Sequence, residues 1–106
     1  MTAASGQCLC GAVRFTVGSV EPHHYACHCG MCRRWSGGPL FAVSVTGASF
    51  EGEENITVYE SSDWAERGFC KICGTNLFYR LKETSKPVIC TGTFDDTPHT
   101  QTPSRA

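Results

Sequence analysis

The chain has 106 residues, with nine lysines and arginines against ten aspartates and glutamates, and a formal net charge of -1. This length accommodates one domain, because a second would fall below the usual folding minimum. The balanced charge offers no basic surface for nucleic acid or an anionic membrane. Apolar runs of about six residues are also far shorter than the ~20 residues that a membrane helix needs. We therefore expect neither a nucleic-acid nor a membrane partner.

Most of the predicted elements are strands, in which apolar and polar residues alternate. Residues 1–6 show no such pattern and are predicted to be an N-terminal tail. The runs at 12–17 and 40–45 alternate most clearly. They are predicted to turn one set of side chains inward: Val13, Phe15, Val17, Phe41, Val43 and Val45. Three shorter runs rich in β-branched or aromatic residues are also predicted to be strands: 55–60, 77–81 and 88–91.

Helix is almost absent from the pattern. Only residues 31–35 and 63–67 could form a helical turn, and no longer stretch shows a convincing helical period. Residues 97–106 contain no large apolar side chain and are predicted to be a flexible C-terminal tail. The sequence thus predicts a small, mainly β single domain over residues 7–96.

Eight cysteines are the most unusual feature of so short a chain. The N-terminus lacks a basic region followed by an apolar one, so no signal peptide is predicted and we expect a cytoplasmic protein. Disulfides rarely persist in that reducing compartment, so the cysteines indicate metal binding or redox chemistry. They form a CxC pair, a CxCxxC triplet, a CxxC pair and one isolated residue: Cys8 and Cys10; Cys27, Cys29 and Cys32; Cys70 and Cys73; and Cys90.

This spacing favours metal ligation. Residues i and i+2 of a strand point to the same face, and a CxxC turn also brings two sulfurs together. Structural zinc prefers four thiolates, whereas catalytic zinc keeps one position open. The two pairs supply a closed site and the triplet supplies three thiolates, so we predict two zinc ions per chain. Spacing alone leaves the partition open, because Cys8 and Cys10 could instead join Cys27 and Cys32, or Cys90 or His28 could close the triplet site.

Three segments resemble the signatures of the glutathione-dependent formaldehyde-activating enzyme family, which also includes centromere protein V. They are QCLCGAVRF at residues 7–15, ACHCGMCRRWSG at 26–37 and ERGFCKICGTNLFYR at 66–80. Three cysteine motifs in the right order are a more specific signal than any single CxxC. The resemblance covers residues 7–96 and implies a small zinc-bound β fold of complex topology. Members usually continue beyond the position where this chain ends, so the resemblance also implies a truncated C-terminal tail.

The resemblance implies a ligand partition and an activity. The CxC and CxxC pairs would share a structural zinc at Cys8, Cys10, Cys70 and Cys73, and the triplet would hold a more exposed zinc. The implied activity is carbon–sulfur chemistry, in which formaldehyde is joined to the thiol of glutathione or released from it. A small thiol such as glutathione is therefore the expected partner.

Three thiolates and one open position suit chemistry on a thiol. A thiol is nucleophilic as the thiolate, and coordination to zinc deprotonates it outright. Our hypothesis is that the substrate thiol becomes the fourth ligand of the zinc at Cys27, Cys29 and Cys32, which makes these cysteines the catalytic residues. Arg33 and Arg34 follow directly and could hold a substrate carboxylate.

Two other functions compete with this carbon–sulfur lyase. One is a zinc-stabilised binding module without catalysis. The other is a redox enzyme related to methionine sulfoxide reductases, which needs a reactive cysteine outside the structural site. Cys90 lies in an apolar run and is expected to be a buried packing residue, so the redox function ranks last.

Overall fold

The computed structural model describes residues 3–84 and 86–95, apart from the side chains of residues 22–25. The predicted C-terminal tail at 97–106 lies outside the described residues. The elements are, in chain order, β1 (Ala4–Gln7), β2 (Arg14–Val17), β3 (Ser19–Cys27), α1 (Gly30–Ser36), β4 (Leu40–Thr46), β5 (Ser49–Glu51), a 3-10 turn (Glu53–Asn55), β6 (Ile56–Glu60), β7 (Ala65–Cys70), β8 (Asn76–Leu81), β9 (Pro87–Cys90) and a second 3-10 turn (Thr91–Thr93). The prediction of a mainly β domain with almost no helix is confirmed.

A small antiparallel sheet of three strands has β2 at its centre, between β1 and β5. Residues alternate strictly along β2, so that Phe15 and Val17 are buried while Arg14 and Thr16 are exposed. Phe15 pairs with Phe50 of β5, and their rings lie 5.8 Å apart between centroids. This sheet therefore has one apolar face.

The larger sheet is antiparallel and has six strands in the order β3-β4-β9-β8-β7-β6. Its central strands are buried on both faces, and consecutive residues belong to different apolar clusters. On β4, Val43 and Val45 join one cluster while Leu40 and Ala42 join the other. On β9, Ile89 lies in the first cluster and Cys90 in the second. The sheet thus separates two cores.

The first and larger core contains side chains from both sheets, including Phe15, Val43, Phe78 and Ile89. The second core combines residues of the large sheet with Cys32 and Trp35 of α1. Helix α1 is therefore packed on the face of the large sheet that does not carry the first core. None of the described helices is long and apolar enough to cross a bilayer.

Four local predictions differ from the structure. The predicted N-terminal tail contains β1, because hydrogen bonding to β2 stabilises a strand that has little apolar pattern of its own. Residues 63–67 were predicted as a helical turn, but Ala65–Cys70 is a strand held between β6 and β8. The long strand β3 has no alternating signal and was missed. Phe41 is 44% exposed rather than inward, because the first core does not extend to its end of β4.

Gly68 provides a test of packing between β7 and β8. It pairs with Phe78, and a Cβ at this position would overlap the buried Phe78 ring. We expect Gly68→Ala to lower the free energy of unfolding by about 1–3 kcal/mol, the usual cost of overpacking. Urea denaturation measures the change. Gly92→Ala is the matched control, since nothing lies within 4 Å of a Cβ there, and equal midpoints for the two variants would contradict the packing argument.

Candidate metal centres

The turn after β1 prepares the first pair of thiols. The Gly11 amide donates to the Cys8 carbonyl at 3.2 Å, and the Cys8 amide donates to the Val13 carbonyl at 3.0 Å. Gly11 has a φ of 81°, a conformation that glycine adopts without steric cost. The chain thereby folds back, and the Val13 amide donates to the Cys8 sulfur at 3.4 Å.

The turn between β7 and β8 repeats this arrangement. The Gly74 amide donates to the Cys70 carbonyl at 2.8 Å, and the Cys70 amide donates to the Thr75 carbonyl at 2.9 Å. Gly74 has a φ of 82°. The Cys73 amide then donates to the Cys70 sulfur at 3.5 Å. Two turns that are distant in sequence therefore each direct a backbone amide at a cysteine sulfur.

The two turns meet and form the four-cysteine cluster, which consists of Cys8, Cys10, Cys70 and Cys73. All four sulfurs lie within 4.8 Å of one another. The Sγ atoms of Cys8 and Cys10 are 3.6 Å apart, and those of Cys10 and Cys70 are 3.9 Å apart. The Leu9 amide also donates to the Thr75 hydroxyl at 3.0 Å, which fastens one turn to the other.

The thiols of this cluster differ in acidity. Hydrogen bonds from the side chain and backbone of Thr75 lower the pKa of Cys73 to about 5. The Ala12 amide favours the thiolate of Cys10, but desolvation and the other three thiols raise its pKa to about 11. A cation bound among these sulfurs would favour the thiolate form of the cluster. Four convergent thiols with amide donors fit a tetrahedral ion such as zinc.

The second group is the three-cysteine cluster, which consists of Cys27, Cys29 and Cys32. Their sulfurs also lie within 4.8 Å of one another. Cys27 ends β3, and Cys29 caps the N-terminus of α1 by accepting a hydrogen bond from the Cys32 amide at 3.4 Å. Cys32 is buried at 3% exposure, whereas Cys29 is exposed. One side of this cluster is therefore open to solvent.

The thiols of the three-cysteine cluster also differ in pKa, because their surroundings differ. The amide and thiol of Cys32, followed by the thiol of Cys27, lower the pKa of Cys29 to about 7. Burial and the two neighbouring thiols raise the pKa of Cys32 to about 12, although Arg67 opposes the shift. Soft thiolate ligands select ions such as zinc. Three of them, with an accessible fourth side, fit a metal that also binds a ligand from solution.

Arg67 contacts the three-cysteine cluster and was not identified from the sequence. It lies on β7 at only 4% exposure, and its Nη1 and Nη2 atoms each donate to the Cys32 sulfur at 3.7 Å. Its guanidinium carbon is 5.1 Å from the Trp35 ring centroid and 5.4 Å from that of Tyr79. A charged residue in the middle of a strand could have indicated a buried functional side chain. Residues 63–67 were predicted as a helical turn, so Arg67 was not placed on a strand.

The remaining candidate residues lie around the cluster. Arg33 and Arg34 are exposed on α1, and the Arg33 Nε donates to the His28 carbonyl at 3.2 Å. Neither His28 nor Cys90 belongs to either cysteine cluster. Cys90 is buried in the second core, and burial raises its pKa to about 12. All eight cysteines are free.

Two curated relatives match most of this chain. An uncharacterized lyase of Schizosaccharomyces pombe is 41% identical over 83 residues, covering 77% of this chain and 61% of that protein. A Halomonas elongata protein, named provisionally as a glutathione-dependent formaldehyde-activating enzyme, is 35% identical, covering 69% of this chain and 53% of that protein. The chain thus spans between half and two thirds of the length of these relatives.

A solved structure and a family model complete the comparison. The crystal structure of a Rhodobacter sphaeroides protein superposes with a TM-score of 0.74, covering 86% of this chain and 87% of that one. At a sequence identity of 23%, this superposition shows that the two chains share a fold. The model of the glutathione-dependent formaldehyde-activating enzyme matches residues 3–106. The chain therefore belongs to the glutathione-dependent formaldehyde-activating enzyme family.

Proposed function

We propose that this chain is a zinc-dependent carbon–sulfur lyase-type enzyme that acts on the adduct of an aldehyde with a small thiol. Formaldehyde is the proposed aldehyde and glutathione the proposed thiol, in line with the family description. The observation that carries the proposal is the three-cysteine cluster, which converges three sulfurs and leaves Cys29 exposed. Such a cluster suits a ligand that arrives from solution.

The two clusters are proposed to hold one zinc each, with different roles. The four-cysteine cluster supplies a complete tetrahedral set and joins the two turns that fold back around it, which suits a structural ion. The three-cysteine cluster is proposed as the catalytic centre. A metal held by Cys27, Cys29 and Cys32 would favour deprotonation of a thiol, and the substrate thiol is the proposed fourth ligand.

The protein residues around the three-cysteine cluster have separable tasks. Cys29 is fixed by the Cys32 amide at the start of α1, so its sulfur is oriented while it stays accessible. Arg33 donates to the His28 carbonyl and thereby holds the loop between the first two cysteines. Both Arg33 and Arg34 are exposed on the same helix, which suits a role in binding the carboxylates of glutathione.

A redox function at Cys90 is disfavoured by the surroundings of this residue. A redox-active cysteine needs an accessible thiol with a lowered pKa. Cys90 is 8% exposed, and burial raises its pKa to about 12. The non-catalytic binding module remains the main competitor, and the number of bound metal ions distinguishes it from the enzyme.

Replacing one cysteine in each cluster tests the division of roles. Structural zinc binding contributes on the order of 10–16 kcal/mol in small peptides, as much as the net stability of about 5–15 kcal/mol of a typical domain. We expect Cys70→Ser to abolish cooperative unfolding, and Cys32→Ser to stay folded with one zinc fewer. Circular dichroism and metal analysis measure both effects. A folded Cys70→Ser protein with its full zinc content would overturn the partition.

Loss of Cys29 tests the proposed activity. We expect Cys29→Ser to remain folded and to lose zinc from the three-cysteine cluster. Its affinity for reduced glutathione should fall at least about tenfold, because changes around a metal site commonly reduce metal affinity or activity by such a factor. Equilibrium dialysis with glutathione and a formaldehyde-release assay on its adduct provide the measurements. Cys90→Ala is the control, since Cys90 belongs to neither cluster. Unchanged zinc and glutathione binding in Cys29→Ser would reject the proposed active site.

A further inference from the structure

Arg67 is a buried cation on the face of the large sheet that carries α1. Its cross-strand partner on β8 is Tyr79, and both belong to the side of the sheet that holds the second core. With 4% of its surface exposed, the guanidinium has little access to water. A charge in such a place is costly unless a counter-charge or hydrogen-bond acceptors accompany it.

No carboxylate among the described residues forms an ion pair with Arg67. Its Nε is buried and finds no hydrogen-bond partner within the described part of the chain. Arg80, the cross-strand neighbour of Glu66, shows the usual alternative, because its Nε binds a Glu66 carboxylate oxygen at 2.7 Å. Both arginines lie over aromatic rings, so stacking alone does not distinguish them.

The acceptor that Arg67 does have is the sulfur of Cys32. Both terminal nitrogens of the guanidinium are 3.7 Å from this atom, and the rings of Trp35 and Tyr79 hold the planar group in place. Arginine presents its donors in a rigid fork, which fits one anionic centre better than a mobile ammonium does. A thiolate at Cys32 would supply the missing counter-charge.

We propose that Arg67 is the positioning and charge-compensating residue of the three-cysteine cluster, and that it favours an anionic thiolate as the fourth ligand there. This inference rests on the proposed function. Three thiolates around a divalent ion carry one net negative charge, and a fourth thiolate adds another. A buried guanidinium beside Cys32 offsets one of these charges and holds the Cys32 sulfur in a fixed direction. A thiol that binds as its anion is therefore the substrate class the site accepts best.

The experiment compares three variants of the full chain loaded with zinc. Arg67→Met removes the charge and keeps an unbranched side chain, whereas Arg67→Lys keeps the charge and loses the fork. Arg80→Met is the matched control, because Arg80 is also stacked on an aromatic ring but has the Glu66 carboxylate as its partner. A chelator titration measures zinc release, and the four-cysteine cluster of the same molecule serves as the internal reference for folding. Dialysis against reduced glutathione measures thiol binding.

We expect Arg67→Met to release zinc from the three-cysteine cluster at a 10- to 100-fold lower chelator concentration, the usual effect of losing a group that supports a metal ligand. The four-cysteine cluster should keep its zinc, and glutathione binding should weaken in parallel. Arg67→Lys should recover part of the loss, and Arg80→Met should match the wild type. Should Arg67→Met not fold, Arg67→Lys is compared with Arg80→Met, and weaker zinc retention in Arg67→Lys remains the expected result.

Two results would overturn the inference, and they differ in what they say about the proposed function. If the wild type binds two zinc ions and both Arg67 variants retain them as tightly, Arg67 has no such role while the proposed function stands. If the wild type binds zinc at the four-cysteine cluster alone, the inference and the proposed function fail together.

Discussion

The convergence of two distant turns on one set of sulfurs is the constraint on which the rest of the structure depends. Cys8 follows the first strand of the small sheet and Cys70 ends a strand of the large one, yet both are buried in the first core. A chain this short buries roughly 65% of its unfolded surface, so apolar contact alone leaves little margin. The four-cysteine cluster brings residues 8 and 73 together, and the zinc proposed there would fix the small sheet against the large one.

The three-cysteine cluster depends on that framework but not on the same core. The large sheet separates the two cores, and α1 with its cysteines lies on the face opposite the small sheet. The proposed structural centre and the proposed catalytic centre thus lie on opposite sides of one sheet. The four-cysteine cluster has two buried cysteines and the three-cysteine cluster has one, and each cluster has one exposed member, Cys10 and Cys29 respectively.

Sequence reasoning succeeded where the signal was local. The strict alternation along β2 depends on near neighbours in the chain, and the mainly β fold was predicted from such alternation. It failed where pairing partners decide the structure. β1 and β3 have weak patterns of their own and are strands because β2 and β4 pair with them. Arg67 was missed for a related reason, since a buried arginine becomes meaningful when Trp35, Tyr79 and Cys32 are known to surround it.

Strand β7 supplies Cys70 to the four-cysteine cluster and places Arg67 against the three-cysteine cluster. This has a consequence for how the sequence of the protein can vary. Cys70 faces the first core and Arg67 the second, because the two residues are three positions apart along the strand. A slip of one residue in the pairing of β7 would exchange the two faces and remove both groups from their clusters at once. The register of this one strand therefore determines the positions of both Cys70 and Arg67. An insertion or deletion within β7 would therefore disturb the surroundings of both clusters, whereas Cys10 and Cys29 lie outside this strand.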